Sequence, residues 1–180
     1  MVALIQRMLL ISALLAVATA FGQGERASET QVKAAFLYKF GGFVEWPVRA
    51  FARAESAFAI GVLGADGVAA ELEQLASGRT VQGRPITVQK LKRGEPVTGL
   101  HLLFVGQPEA VRLGEILSAA KGQPLLVVTD TDDALTRGSM INFITIEDKV
   151  RFDVALPQAE RGQLKISARL LAVARKVITS

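Results

Sequence analysis

Three short runs made almost wholly of apolar residues constrain this chain most: Phe58-Ala59-Ile60-Gly61-Val62-Leu63, Leu100-His101-Leu102-Leu103-Phe104-Val105 and Pro124-Leu125-Leu126-Val127-Val128. None alternates as a strand with one wet face does, so each reads as a strand covered on both sides. An amphipathic segment, Glu109 to Ala120, separates the second run from the third. Strand, helix and strand in that order read as a parallel α/β unit, because parallel neighbours need a crossover long enough to bring the chain back. Ile86-Thr87-Val88-Gln89 alternates and reads as a further strand after the turn at Gly83-Arg84-Pro85. Asp66 is placed to cap a short helix from Gly67 to Ala76.

The flanking segments complete the fold. Ser28 stands three residues before Gln31, a capping box ahead of a helix whose Val32, Phe36, Phe40 and Phe43/Val44 share one face. Trp46-Pro47 ends that helix, since the residue before proline is driven out of the helical region. Gly41-Gly42 reads as a weak point within it. After Gly138 the pattern changes. Ile141 to Ile146 and Val150-Arg151-Phe152-Asp153-Val154 read as an antiparallel pair, with Arg151 and Asp153 pointing away from the face of Val150, Phe152 and Val154. The linking Glu147-Asp148 lacks the glycine that favours the tightest turns. The chain end reads as a helix, with Ile166, Leu170, Val173/Ala174 and Val177 in one stripe. The expected fold is α/β: a single three-layer domain over residues 28–178, with a mainly parallel central sheet, helices on both faces and a C-terminal antiparallel strand pair.

Residues 1–20 carry one charge, Arg7, then an apolar run that closes on Ala18-Thr19-Ala20. A positive start, a short apolar centre and small residues at the exit form a secretory signal, with cleavage expected after Ala20 or as late as Gly22. The competing reading, an uncleaved membrane anchor, lacks a stop-transfer flank. The setting implied is a bacterial periplasm. There the absence of cysteine leaves no disulfide to staple the domain, and stability rests on the core.

Composition removes whole classes of chemistry. Without cysteine there is no thiolate metal site and no thiol nucleophile, and one histidine, His101, is too few for most imidazole metal centres or a Ser-His-Asp arrangement. No catalytic residue, metal or cofactor is assigned. The net charge of +4 is too small and dispersed for a nucleic-acid footprint. Gly61-x-x-Gly64-x-x-Gly67 sits between a strand and a helix, but its spacing is not that of a dinucleotide fingerprint, and turn glycines with a helix start account for it. Asp130, Asp132 and Asp133 do not match a calcium loop; capping of a short helix by Thr129 or Asp130 is the expected use. His101 reads as a satisfied packing residue, and the aromatics around Trp46 read as core. Lys165, Ser167 and Arg169 flank the start of the last helix and, with Arg151, form the one candidate anion-binding set.

Two blocks read together resemble the YfiR family of periplasmic proteins, the DUF4154 domain. The first runs from Gln31 to Phe40 and on through Phe43-Val44-Glu45-Trp46-Pro47. The second comprises Gly138-Ser139-Met140-Ile141-Asn142-Phe143, Val150 to Val154 and Leu164-Lys165-Ile166-Ser167-Ala168-Arg169-Leu170-Leu171. Between them Val62-Leu63-Gly64, Val81-x-Gly83-Arg84-Pro85 and His101-Leu102-Leu103-Phe104-Val105-Gly106 fall in the expected order. The resemblance implies a secreted α/β domain without catalysis of its own. It implies inhibition of a membrane-anchored diguanylate cyclase through its periplasmic region, hence control of cyclic-di-GMP and biofilm formation. An OmpA-like outer-membrane lipoprotein is a further implied partner, a homodimer an implied assembly, and a sensor kinase an alternative target. Some members hold small anionic or aromatic ligands, so a sensor of an anionic or nucleotide-like small molecule is the second functional expectation. This sequence departs from the family in Lys39, where Asn is common, in Gly41-Gly42, which replaces a more helical pair, and in Ser139, which replaces a usual Gly. The paired cysteines of redox-responsive members are also missing, so a thiol switch is excluded.

Overall fold

Ser28 opens the first helix as the capping box requires: its Oγ accepts from the Gln31 N–H at 3.2 Å, and the Gln31 side chain accepts from the Ser28 N–H at 3.0 Å. The computed structural model describes residues 28–180, and the expected leader lies outside them. In chain order the elements are α1 Glu29–Phe43, β1 Val44–Glu45, a 3-10 turn Val48–Ala50, β2 Phe58–Leu63, α2 Asp66–Ala76, β3 Thr80–Val81 and β4 Arg84–Leu91. Then come β5 Leu102–Val105, a 3-10 segment Gln107–Arg112, α3 Leu113–Ala120, β6 Leu126–Thr129, α4 Ala134–Arg137 and β7 Ile141–Ile146. The chain ends with β8 Lys149–Ala155, α5 Leu156–Arg161, β9 Lys165–Ile166, α6 Ala168–Val173 and β10 Lys176–Ile178.

Eight strands form one sheet in the order β10-β8-β7-β6-β5-β2-β4-β3, and β1 pairs with β9 in a separate antiparallel ribbon. The run β7-β6-β5-β2-β4 is parallel throughout; β8 is antiparallel to β7 and β3 to β4. Strands β2, β5 and β6 are buried along their whole length, and alternate residues explain why. Ile60, Val62, Leu102, Phe104, Leu126 and Val128 join one core with Leu37 and Phe40 of α1 and Leu72 of α2. Their neighbours Ala59, Leu63, Leu103, Val105 and Val127 join a second core with Leu113 and Ile116 of α3. Each such side chain withdrawn from water is worth about 1.5–3 kcal/mol, so no face of these strands can be left open. The α/β sandwich expected from the sequence is the one observed.

Several local expectations are corrected. The C-terminal stripe is not one helix: Ile166 pairs with Val44 in the ribbon, α6 stops at Val173, and Val177 lies in β10, parallel to β8 opposite Val154. A six-residue helix followed by a strand lets β10 pair with the outer side of β8, which one long helix would leave unpaired, and β10 becomes the edge of the sheet. Segment 109–120 begins as a 3-10 turn and becomes α-helical only at Leu113. Asp66 is the first helical residue of α2 rather than its cap, which is Ala65, without a capping side chain. Gly61 is not a turn glycine: it lies within β2, where a Cβ would come 2.5 Å from Leu100 Cδ1. Nor do the paired glycines break α1, which runs unbroken to Phe43.

Candidate functional site

The strand-end crevice where an open α/β sheet usually takes a ligand comes first. The sheet order reverses between β2 and β5, and binding crevices form outside the carboxyl ends of such strands. Here that crevice is filled. The Gly106 N–H donates to Leu63 O at 2.8 Å, and a Cβ on Gly106 would lie 2.5 Å from Gly64 O. Gly64, at φ +71°, leaves room for the Glu109 side chain, whose Cγ would stand 2.8 Å from a Cβ there. Glu109 is 4% exposed and accepts from Arg93 Nε at 2.8 Å. A buried carboxylate where a phosphate would sit disfavours an anionic nucleotide at this point.

The acidic cluster is also used internally. Neither Thr129 nor Asp130 caps α4, contrary to expectation; the cap position is Asp133, itself left-handed at φ 55°. The Thr129 hydroxyl donates to Asn142 Oδ1 at 2.7 Å, inside a buried network with Ser139. Asp130 is drawn away by Lys33, whose ammonium lies 2.7 Å from Asp130 Oδ2 and 2.6 Å from Glu29 Oε1. Burial alone would lower the Lys33 pKa, but hydrogen bonds and charge from Asp130 and Glu29 outweigh it and hold the amine above its ordinary value. Sequence reading passed over this buried lysine, although the Glu29/Lys33 spacing of four was a usable signal. Among the described residues no group of three or more His, Asp or Glu side chains is placed to hold a metal ion.

His101 is locked. Its Nδ1 accepts from the Ala59 N–H at 3.0 Å, which leaves Nε2 to carry the proton and donate to Ala50 O at 3.0 Å. The ring stacks on Phe51 at 4.3 Å and on Phe58 at 5.3 Å. Burial, with the charge of Arg84 assisting, pushes its pKa down and favours the neutral ring. Both ring nitrogens are spent on the main chain, so this imidazole is not presented to a substrate. Trp46 is part of the same packing: its indole N–H donates to His101 O at 3.1 Å, and its ring meets Phe58 edge-on at 4.9 Å.

These contacts pin the strap of residues 46–57 that leaves α1. Arg84 Nη1 donates to the carbonyls of Arg53, Ala54 and Ser56, and its guanidinium lies 3.7 Å from the Phe51 ring centroid. Gln82 Nε2 holds the helix exit through Gly41 O and Val44 O, and Arg49 Nε donates to Gln163 Oε1 at 3.0 Å. The ribbon completes the junction, since Val44 faces Ile166, Glu45 faces Lys165, and the Ser167 N–H donates to Phe43 O at 2.9 Å. The two sequence blocks that carried the family resemblance thus meet in space. On this fixed strap Val48 is 92% exposed.

The candidate anion set is distributed over this framework. Lys165 is exposed on β9, Ser167 caps α6 by accepting from the Leu170 N–H at 3.3 Å, and Arg169 is exposed within α6. Arg151 is exposed on β8, opposite Ile144, in the other sheet. Its neighbour Asp153 points from the same face as expected, yet is buried because Arg175 clasps it.

The DUF4154 family, described as YfiR/HmsC-like, matches residues 30–175. The chain belongs to the YfiR/HmsC-like family. No curated protein matches it. Among solved structures, a conserved domain protein from Vibrio cholerae O1 biovar El Tor is similar in fold, at a TM-score of 0.54 and 12% identity, over 83% of this chain. This YfiR/HmsC-like chain spans 60% of that protein's length. Among the described residues no helix is long and apolar enough to cross a membrane.

Proposed function

We propose that this protein is a non-catalytic periplasmic regulator that binds the periplasmic region of a membrane-anchored signalling protein, foremost a diguanylate cyclase, and holds it in its inactive arrangement. Membership of the YfiR/HmsC-like family over residues 30–175 carries this reading. The locked state of His101 supports it, since the single imidazole is engaged with main chain on both sides. The surface for the partner is the pinned strap around Val48. A rigid strap loses little entropy on docking, and Val48 offers an exposed apolar contact on it. A competing partner, such as an OmpA-like outer-membrane lipoprotein, would release the cyclase by mass action on that surface.

Deleting the gene is expected to raise cellular cyclic-di-GMP and biofilm formation, and wild-type protein supplied in trans is expected to restore both. Val48→Asp is expected to fold with an unchanged melting temperature, yet to fail in restoring the low level and in capturing the cyclase's periplasmic region in a pull-down. Cyclic-di-GMP that does not respond to deletion under several growth conditions would sink the reading. A Val48→Asp protein that restores fully would remove the strap from it.

A further inference from the structure

Strand β4 pairs with β2 on one side over Ile86 to Leu91, but on the other side only with β3, which reaches Arg84 and Pro85. β3 ends the sheet order, so beyond Ile86 the outer side of β4 is an open edge. The turn decides which groups lie on it. Gln82 and Gly83, at φ 51° and 76°, form a two-residue hairpin turn in which the flanking Val81 and Arg84 exchange main-chain bonds. Strand residues alternate in direction, so the N–H and C=O of Val88 and Lys90 point outward as those of Arg84 do. Among the described residues nothing bonds to them there.

The open stretch offers side chains as well. Ile86 and Val88 pack on the core from one side and are only half-buried. With Pro85 they line a shallow cleft of about 460 Å3, whose other wall includes Glu73 and Ala76 at the end of α2. Lys90 falls on the same face by alternation. It and Lys92 are exposed, and among the described residues neither is in an ion pair. From Arg84 to Arg93 the chain carries no acid. Edges are ordinarily blunted by brevity, proline or charge. Here Pro85 lies opposite β3, before the open stretch, and the charge of Lys90 stands only at its far end. A second copy pairing β4 on β4 would bring more cations to an edge that lacks acids.

We propose that β4 accepts an extended segment of a partner protein as an added antiparallel strand, with an acidic residue opposite Lys90 and apolar residues opposite Val88 and Ile86. Antiparallel addition continues the line of β3 and is the more stable pairing. Main-chain bonds supply affinity, and alternate side chains supply selection. Ile86, Val88 and Lys90 take no part in holding the strap, so this edge stands or falls independently of the cyclase surface.

The probe is a fluorescein-labelled seven-residue peptide in which threonine alternates with one glutamate and then two valines, added to the mature chain. Fluorescence anisotropy should show saturable binding. Hydrogen exchange should show the Val88 and Lys90 amides, fast in the free protein, becoming protected. Methylating the nitrogens of both peptide valines, which face β4, should weaken binding roughly tenfold, while methylating two threonine nitrogens, which face away, should leave it unchanged. Lys90→Glu, at an exposed and unpaired position, should keep the wild-type melting temperature yet bind the peptide about fivefold more weakly. A peptide with lysine in place of the glutamate should prefer Lys90→Glu to wild type, and Val48→Asp should bind the original peptide as wild type does. Absence of binding at millimolar peptide, equal loss from the two methylation patterns, or a charge swap without effect would each overturn the proposal. Protection of Val88 and Lys90 that rises with protein concentration in the absence of peptide would overturn it too, by assigning the edge to a second copy.

Discussion

His101 shows how a residue type that usually announces chemistry can be wholly structural. Its two nitrogens close two main-chain bonds, and its ring fills the space between Phe51 and Phe58. The pKa is lowered by burial, so the unfolded chain takes up a proton before the folded one does. The contribution to stability is therefore complete above the ordinary histidine value of about 6.5 and is lost as pH falls through the folded pKa. Urea midpoints of wild type and His101→Gln, compared at pH 7.5 and 5.0, should show the wild type losing more over that interval. Other titrating groups are common to both proteins and cancel in the difference. Parallel losses would mean that the imidazole is protonated as easily in the fold as out of it. The sequence supported the packing role of His101 only by default, through its isolation on an apolar run; the tautomer and its partners come from Ala50 and Ala59, neither of which has a side chain that could signal them.

At the scale of elements, the paired glycines of α1 separate two roles that look identical in sequence. Gly41 faces the sheet, where a Cβ would stand 3.0 Å and 3.1 Å from the two Val81 methyl groups and 3.3 Å from Phe58. Gly42 is exposed, with no atom within 4 Å of the same position. Gly42→Ala should therefore stabilise the protein by about 0.5 kcal/mol, the helix-propensity gain reduced by its place in the last turn. Gly41→Ala should lose about 1–3 kcal/mol to overpacking, despite the same gain in propensity. Thermal melts of both variants check the signs, and a stabilising Gly41→Ala would show that the helix can lift off the sheet freely. Long elements were legible because burial repeats along them. Two-residue strands such as β1 and β9 carry no period of their own and exist only because Val44 and Ile166, far apart in sequence, are brought opposite each other. The same holds for β10, whose place beside β8 is fixed by the Arg175–Asp153 clasp as much as by its own residues.

At the scale of the whole molecule, the layers must be fastened as well as packed, and Lys33 fastens α1 to the carboxyl end of β6. The ion pair spans 97 positions of sequence, and both side chains are largely withdrawn from water, at 10% and 14% exposure. Apolar periodicity predicts that α1 covers the sheet, but it cannot predict this link, because a lysine beside an apolar stripe is usually solvated. Asp130 Oδ1 has no protein partner, so the carboxylate already depends on Lys33 for most of its compensation. Lys33→Met would leave that charge buried and alone, at a cost of about 3 kcal/mol. Adding Asp130→Asn removes the charge and should restore at least half of the loss, giving a clear coupling in a double-mutant cycle. Because the lysine pKa is raised, the lysine's own contribution is complete below its ordinary value of about 10.5 and fades only as pH rises through the folded value. Urea unfolding at pH 7 therefore reads it undiminished. Additive losses in the cycle would mean that the contact does not join the two layers energetically, and that packing of Leu37 and Phe40 alone holds the helix in place.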